Sequence, residues 1–123
     1  MLFRSAIAAL KLGASSAIGI DVDVQAVQAG RDNAIANRVA AKFYLPDDAP
    51  KQTNDIVVAN ILTNPLKMLA PLLAGTTRQG GRIVLSGILS EQAEEVMKIY
   101  SEWFNLEAPN FEEGWACLSG IKR

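Results

Sequence analysis

Apolar runs in this chain end repeatedly on small polar side chains. Asp21 closes AIGID (17–21), Asp47 and Asp48 follow AKFYL (41–45), Asn60 closes DIVVAN (55–60), and Ser86 and Gly87 lie toward the end of RIVLSGIL (82–89). If these runs are parallel strands, the polar positions stand at the carboxyl ends of a sheet, where open α/β folds bind their ligands. The residue types then suggest a chemistry. The Asp21 carboxylate suits the two donating hydroxyls of a ribose. Asp47 or Asp48 suits an exocyclic adenine amine. Asn60 carries an acceptor and a donor on a short, stiff arm, fit to orient an amine that must present its lone pair. Each position also has a plainer use. Asp21 fits a cap for the following helix, Asp47 and Asp48 fit a solvated turn among prolines, and Asn60 fits a bond to nearby backbone. Asp23 is read as a helix-start residue.

The elements that must hold these residues follow from hydrophobic period. Strand-length apolar runs alternate with helix-period segments, which predicts βα units and a mostly parallel sheet. SAIAALKLGA (5–14) reads as a helix stopped at Gly13. VQAVQAGRDNAIAN (24–37) reads as a second helix, weakened at Gly30 by about 1 kcal/mol relative to alanine. In DIVVAN, four apolar residues in succession mark a strand covered on both faces. NPLKMLAPLLAG (64–75) is a helix that Pro71 should kink or break. RQGG (78–81) is a turn, and Ser90 with Glu94 starts a helix over 91–102. WFNLEAPN and GWACLSGIKR close the chain as an antiparallel pair. Phe43, Tyr44, Trp103, Phe104 and Trp115 are expected in the core, and Cys117 as a small buried hydrophobe.

Composition narrows the function classes. The 123 residues fit one domain. With 12 basic and 13 acidic side chains there is no global attraction to nucleic acid or anionic membranes. The absence of histidine removes imidazole metal sites and Ser-His or Cys-His nucleophile pairs. A single cysteine allows no internal disulfide and suits a reducing cytoplasm. No run approaches the roughly 18 to 20 apolar residues of a membrane span, and the opening MLFRSAIAAL shows no signal-peptide cleavage site. A cytoplasmic location without a metal ion is expected.

The strings ALKLGA, AIGIDVDVQAVQAGRDNAIAN, YLPDD, DIVVANIL, GGRIVLSGIL and EEGWACLSG together resemble the bacterial PrmA family, from about residue 6 to the end. The resemblance implies a Rossmann-like class I methyltransferase sheet with a C-terminal antiparallel pair. It also implies S-adenosylmethionine as cofactor, and lysine and N-terminal amines of a large-subunit ribosomal protein as substrate. By position, Asp21 would hold the ribose, the LPDD stretch with Asp47 would lie near the adenine, and Asn60 would sit by the methyl group and the target amine.

The same resemblance implies a loss. In the family, a first strand and a glycine-rich turn resembling D-x-G-C-G-S-G precede the helix matched by AIAALKLGA; here that place holds MLFRS. Such a turn lets backbone approach a ligand with no Cβ in the way. The expectation is therefore a methyltransferase domain truncated at its N-terminus, impaired or inactive by itself. The first strand is central in such sheets, so the strands AIGID and DIVVAN should be left with facing, unpaired edges. Either these edges close on each other, or a dimer mate or the N-terminal residues fill the gap, or the chain is unstable. A non-catalytic binding module pairing through that edge is the alternative function. A dinucleotide-dependent oxidoreductase is disfavoured because no G-x-G-x-x-G precedes Asp21.

Overall fold

A computed structural model describes residues 17–21, 23–36, 41–45, 48, 53–61 and 63–123. The helix expected over 5–14 and the adenine-side residue Asp47 lie outside these. The described chain runs β1 (Ala17–Asp21), α1 (Val24–Ala36), β2 (Lys42–Tyr44), β3 (Asn54–Asn60), α2 (Thr63–Met68), α3 (Ala70–Thr76), β4 (Thr77–Leu89), a 3-10 turn (Ser90–Gln92), α4 (Ala93–Tyr100), β5 (Phe104–Leu106), β6 (Asn110–Glu112) and β7 (Trp115–Lys122). The strands form one sheet in the order β2-β1-β3-β4-β7-β5, with β6 beside β5 on the same edge of β7. β2, β1, β3 and β4 are mutually parallel. β7 runs antiparallel to β4, as do β5 and β6 to β7. This is the expected mostly parallel α/β sheet with an antiparallel C-terminal end.

Strand period sets the two faces. Ile18, Ile20, Val57, Ala59, Ile83 and Leu85 point to one side, where α2, α3 and α4 bring Leu66, Leu73, Val96 and Tyr100 into the larger core. Ala17 and Val58 point to the other, with Val27 and Ala34 of α1 and Phe43 of β2. Gly30 belongs to this second contact. A Cβ there would stand 2.7 Å from the Phe43 ring, so the glycine that lowers local helix propensity allows α1 to lie on β2. Arg31, one residue on, donates from Nε to the Phe43 carbonyl (3.1 Å) and tethers the helix to the same strand.

Of the outcomes expected for the two facing edges, the structure shows the first: they close on each other. β1 pairs directly with β3 over its full length, from Ala17 with Ile56 to Asp21 with Asn60. Neither strand therefore offers a free edge to a dimer mate at that seam. The physical reason is that two parallel apolar strands of matched phase satisfy each other's backbone groups.

Other departures are local. The proline break is present: α2 ends at Met68 and α3 begins at Ala70, with Pro71 in its first turn, where a missing N–H costs nothing. The RQGG stretch falls within the span of β4 but leaves the ladder as a turn would: Thr77 is level with Asn54 and Arg82 with Ile56, so four residues stand against one of β3, and Gly80 has φ 81°. The final helix is shorter than 91–102 and follows a 3-10 turn. Trp115 is not core: it is 48% exposed, because β7 alternates and presents Ala116 and Leu118 inward. Tyr44 and Trp103 are only partly buried, whereas Phe43 and Phe104 are fully so. Among the described residues no helix is long and apolar enough to cross a membrane.

Two outcomes test this packing. Gly30→Ala should destabilise by about 1–3 kcal/mol in urea unfolding despite its better helix propensity. Gly75→Ala, with open space at its Cβ, should instead stabilise by up to about 1 kcal/mol. The Tyr100 hydroxyl, buried and donating to the Leu66 carbonyl at 2.7 Å, is pushed above its ordinary pKa by desolvation. The unfolded chain then releases that proton first, so stability should fall as pH rises beyond about 10. Tyr100→Phe should flatten that alkaline slope in melts across the range, while costing about 1 kcal/mol at neutral pH.

Candidate functional site

Parallel register places three polar residues in one row. Asp21 of β1 is level with Asn60 of β3, and Asn60 is level with Ser86 of β4, all near the carboxyl ends of their strands. Side chains join along the row. The Ser86 hydroxyl donates to Asn60 Oδ1 at 3.2 Å, and Asn60 Nδ2 donates to Asp21 Oδ2 at 3.3 Å. The other Asp21 oxygen, Oδ1, accepts the Asp23 N–H at 2.9 Å. That last bond shapes the turn into α1, which Asp23 then caps through its own Oδ1 on the Gln25 N–H (2.9 Å). Asp23 is thus the helix-start residue expected, and Asp21 organises the turn before it.

Beside Asn60, β4 departs from regular pairing between Leu85 and Ile88, a bulge that carries Ser86 and Gly87. Gly87 has φ 84°, and a Cβ on it would meet Asn60 Oδ1 and the Ile61 carbonyl at 3.0 Å. Only glycine lets β4 pass so close to the Asn60 amide. Above this bulge opens a cleft of about 860 Å³, with Asn60, Ser86 and Gly87 on its floor. Its far wall is the β6–β7 hairpin, which contributes Phe111, Glu112, Glu113 and Trp115. Asn60 is exposed to the cleft, whereas Asp21 is 3% exposed. Cys117 also lines it, but burial raises its thiol pKa, which keeps the sulfur protonated and weakly nucleophilic.

The expected site residues therefore fare differently. Asp21 and Asn60 are brought together, closer than two residues gripping opposite parts of one ligand need to be. Asp48 is exposed, and its N–H donates to the Leu45 carbonyl, the plain turn role. Sequence reasoning missed the hairpin wall. The EEGW string carries its signal, two acids before a glycine and an aromatic, but nothing local says that it folds over Asn60.

A family model described as ribosomal protein L11 methyltransferase (PrmA) matches residues 5–123. The chain belongs to this family. A ribosomal protein L11 methyltransferase from Neisseria gonorrhoeae is 63% identical over 117 residues, covering 95% of this chain and 40% of the relative. One from Chromobacterium violaceum is 59% identical over 118 residues, with 96% and 40% covered. The chain thus spans about 40% of the length of the curated relatives it matches. A crystal structure of a ribosomal protein L11 methylase from Lactobacillus delbrueckii subsp. bulgaricus superposes with a TM-score of 0.75 at 28% identity, covering 98% of this chain and 64% of that one. An RNA methyltransferase from Salinibacter ruber, solved with S-adenosyl-L-homocysteine, has a TM-score of 0.60 at 20% identity over 98% of this chain and 74% of its own, a likeness of fold.

Family and fold make S-adenosylmethionine the cofactor to set against these residues. In the closed sheet they do not fit it. A ribose acceptor needs an open carboxylate face, but Asp21 is buried, and each of its oxygens already accepts one bond from within the fold. The Asp21–Asn60 contact is accordingly a stability element. Asn60→Ala would leave a buried carboxylate oxygen without its donor and should cost about 1–3 kcal/mol in urea unfolding. Ser86→Ala, removing one partly exposed hydroxyl, should cost less than about 1 kcal/mol.

Proposed function

We propose that the chain forms the amine-accepting side of a protein N-methyltransferase of the ribosomal protein L11 type, with S-adenosylmethionine as methyl donor. Its activity in the closed form is impaired. One observation carries the reading: Asn60 stands exposed on the floor of an open cleft, at the carboxyl end of a buried parallel strand. Its carbonyl accepts one bond from Ser86 and keeps a second lone pair for the N–H of an incoming amine. Orienting that amine aims its lone pair, and methyl transfer to a neutral amine depends largely on such positioning and on desolvation. Asp21 takes the ribose-holding role only when β1 and β3 part, because their pairing seals its carboxylate.

The sealed Asp21 favours a second reading, a binding module without cofactor affinity. In its edge-pairing form that reading lacks support at the seam, where β1 and β3 are already paired.

Calorimetric titration with S-adenosylmethionine and with unmethylated ribosomal protein L11, joined to amide hydrogen exchange, separates the two. The methyltransferase reading expects L11 to bind. It also expects cofactor binding to be weak and coupled to faster exchange in β1 and β3. A folded chain that binds neither defeats it. Tight cofactor binding with fully protected seam amides would overturn the role given to the seam.

A further inference from the structure

The side chains of the polar row do not have equal say in how the Asn60 amide lies. Its two ends are alike in size and opposite in chemistry, Oδ1 accepting and Nδ2 donating. On the β4 side either end can be satisfied. The Ser86 hydroxyl, which bonds Oδ1, can donate or accept. The Ile61 carbonyl lies beside the same end of the amide, since it and Asn60 Oδ1 would both stand 3.0 Å from a Cβ on Gly87. On the β1 side only one end fits. A carboxylate accepts and never donates, and Asn60 Nδ2 accordingly turns to Asp21 Oδ2 at 3.3 Å. Asp21 is itself pinned: its Oδ1 accepts the Asp23 N–H at 2.9 Å, and the residue is 3% exposed.

We propose that Asp21 is the positioning residue for Asn60: by accepting from Nδ2 it turns Oδ1 toward Ser86, so that the cleft is offered an acceptor and selects ligands that donate. The use made of this orientation rests on the proposed function; the orientation itself does not. An amine whose N–H is held by Oδ1 keeps its nitrogen lone pair free to attack. A reversed amide would donate to that lone pair and hold it back. Ser86 follows Asp21 rather than leading it, because its hydroxyl turns to suit whichever end it meets. Changing the acid to its amide separates the two residues' roles. In Asp21→Asn the new Oδ1 still accepts the Asp23 N–H, which leaves the new Nδ2, a donor, facing Asn60. The Asn60 amide must then reverse to accept from it, and Ser86 accepts in its turn.

The test is nuclear magnetic resonance of the whole chain, isotopically labelled at asparagine nitrogen, without S-adenosylmethionine or L11. The Asn60 side-chain amide is assigned by its loss in Asn60→Ala. In the unaltered chain its protons should show a nuclear Overhauser contact to the Asp21 methylene and only a weak one to the Gly87 methylene. In Asp21→Asn the Gly87 contact should become the strong one. Exchange of the same protons with water should quicken there at least about tenfold, because a charge-assisted bond is lost. Ser86→Ala should keep the orientation of the unaltered chain. A strong Gly87 contact in the unaltered chain, an unreversed amide in folded Asp21→Asn, or reversal in Ser86→Ala would each overturn the proposal. If Asp21→Asn does not fold, the other two decide: orientation kept in both supports it, and reversal in either overturns it. Neither cofactor nor substrate takes part, so failure here leaves the methyltransferase reading to its own titrations, and the reverse also holds.

Discussion

The register between β1 and β3 governs the rest of this molecule. Five residue pairs, from Ala17 with Ile56 to Asp21 with Asn60, bring two apolar strands together without a gap. Their phase then aligns Ile18 with Val57 and Ile20 with Ala59 over the α2–α4 side. The same phase leaves Ala17 and Val58 for α1 and Phe43. A slip of one residue would turn each set to the wrong face. It would also take Asp21 out of line with Asn60, so one constraint fixes the core and the polar row together.

The row shows how a single geometry can stabilise a fold and restrict a site. Adjacent parallel strands stand about 4.8 Å apart, close enough for the Asn60 amide to reach the Asp21 carboxylate. What satisfies a buried charge also occupies it. The cleft side is free of this conflict: Asn60, Ser86 and the bulge at Gly87 face an open concavity walled by a separate hairpin. The Asn60 end of the row is thus kept open while the Asp21 end is covered.

Much of this was legible in the sequence where one physical signal dominates. DIVVAN and the core of RIVLSGIL are uninterrupted apolar runs, and both are interior strands. Pro71 lacks an N–H, and the helix breaks just before it. Asp23 caps, Asp48 turns, and Asp21 and Asn60 fall at strand ends as their residue types suggest, while Ser86 sits in a bulge three residues before the end of β4. What was not legible is long-range. Hydrophobic period says that a strand is buried but not which strand lies beside it, so the direct β1–β3 pairing could only be one option among several. Gly30 looked like a weakness because propensity is local, whereas its reason is a ring twelve or more residues onward in the chain. Trp115 misled because size suggests burial, while its place in the β7 alternation puts the small Ala116 inside instead.

The strand order also bears on the time course of folding. β4, α4, β5, β6 and β7 lie consecutively within residues 77–122, joined by short connections and mostly antiparallel pairing. β1 reaches β3 only after α1 and β2 have been threaded between them, a parallel closure across a long loop. Loop entropy is spent before such contacts form, so non-local pairings tend to arrive late. The C-terminal half is thus placed to form the template, with β3 seated on β4 and β1 added last. In that order the polar row, which needs β1 beside β3, is the last part to be completed.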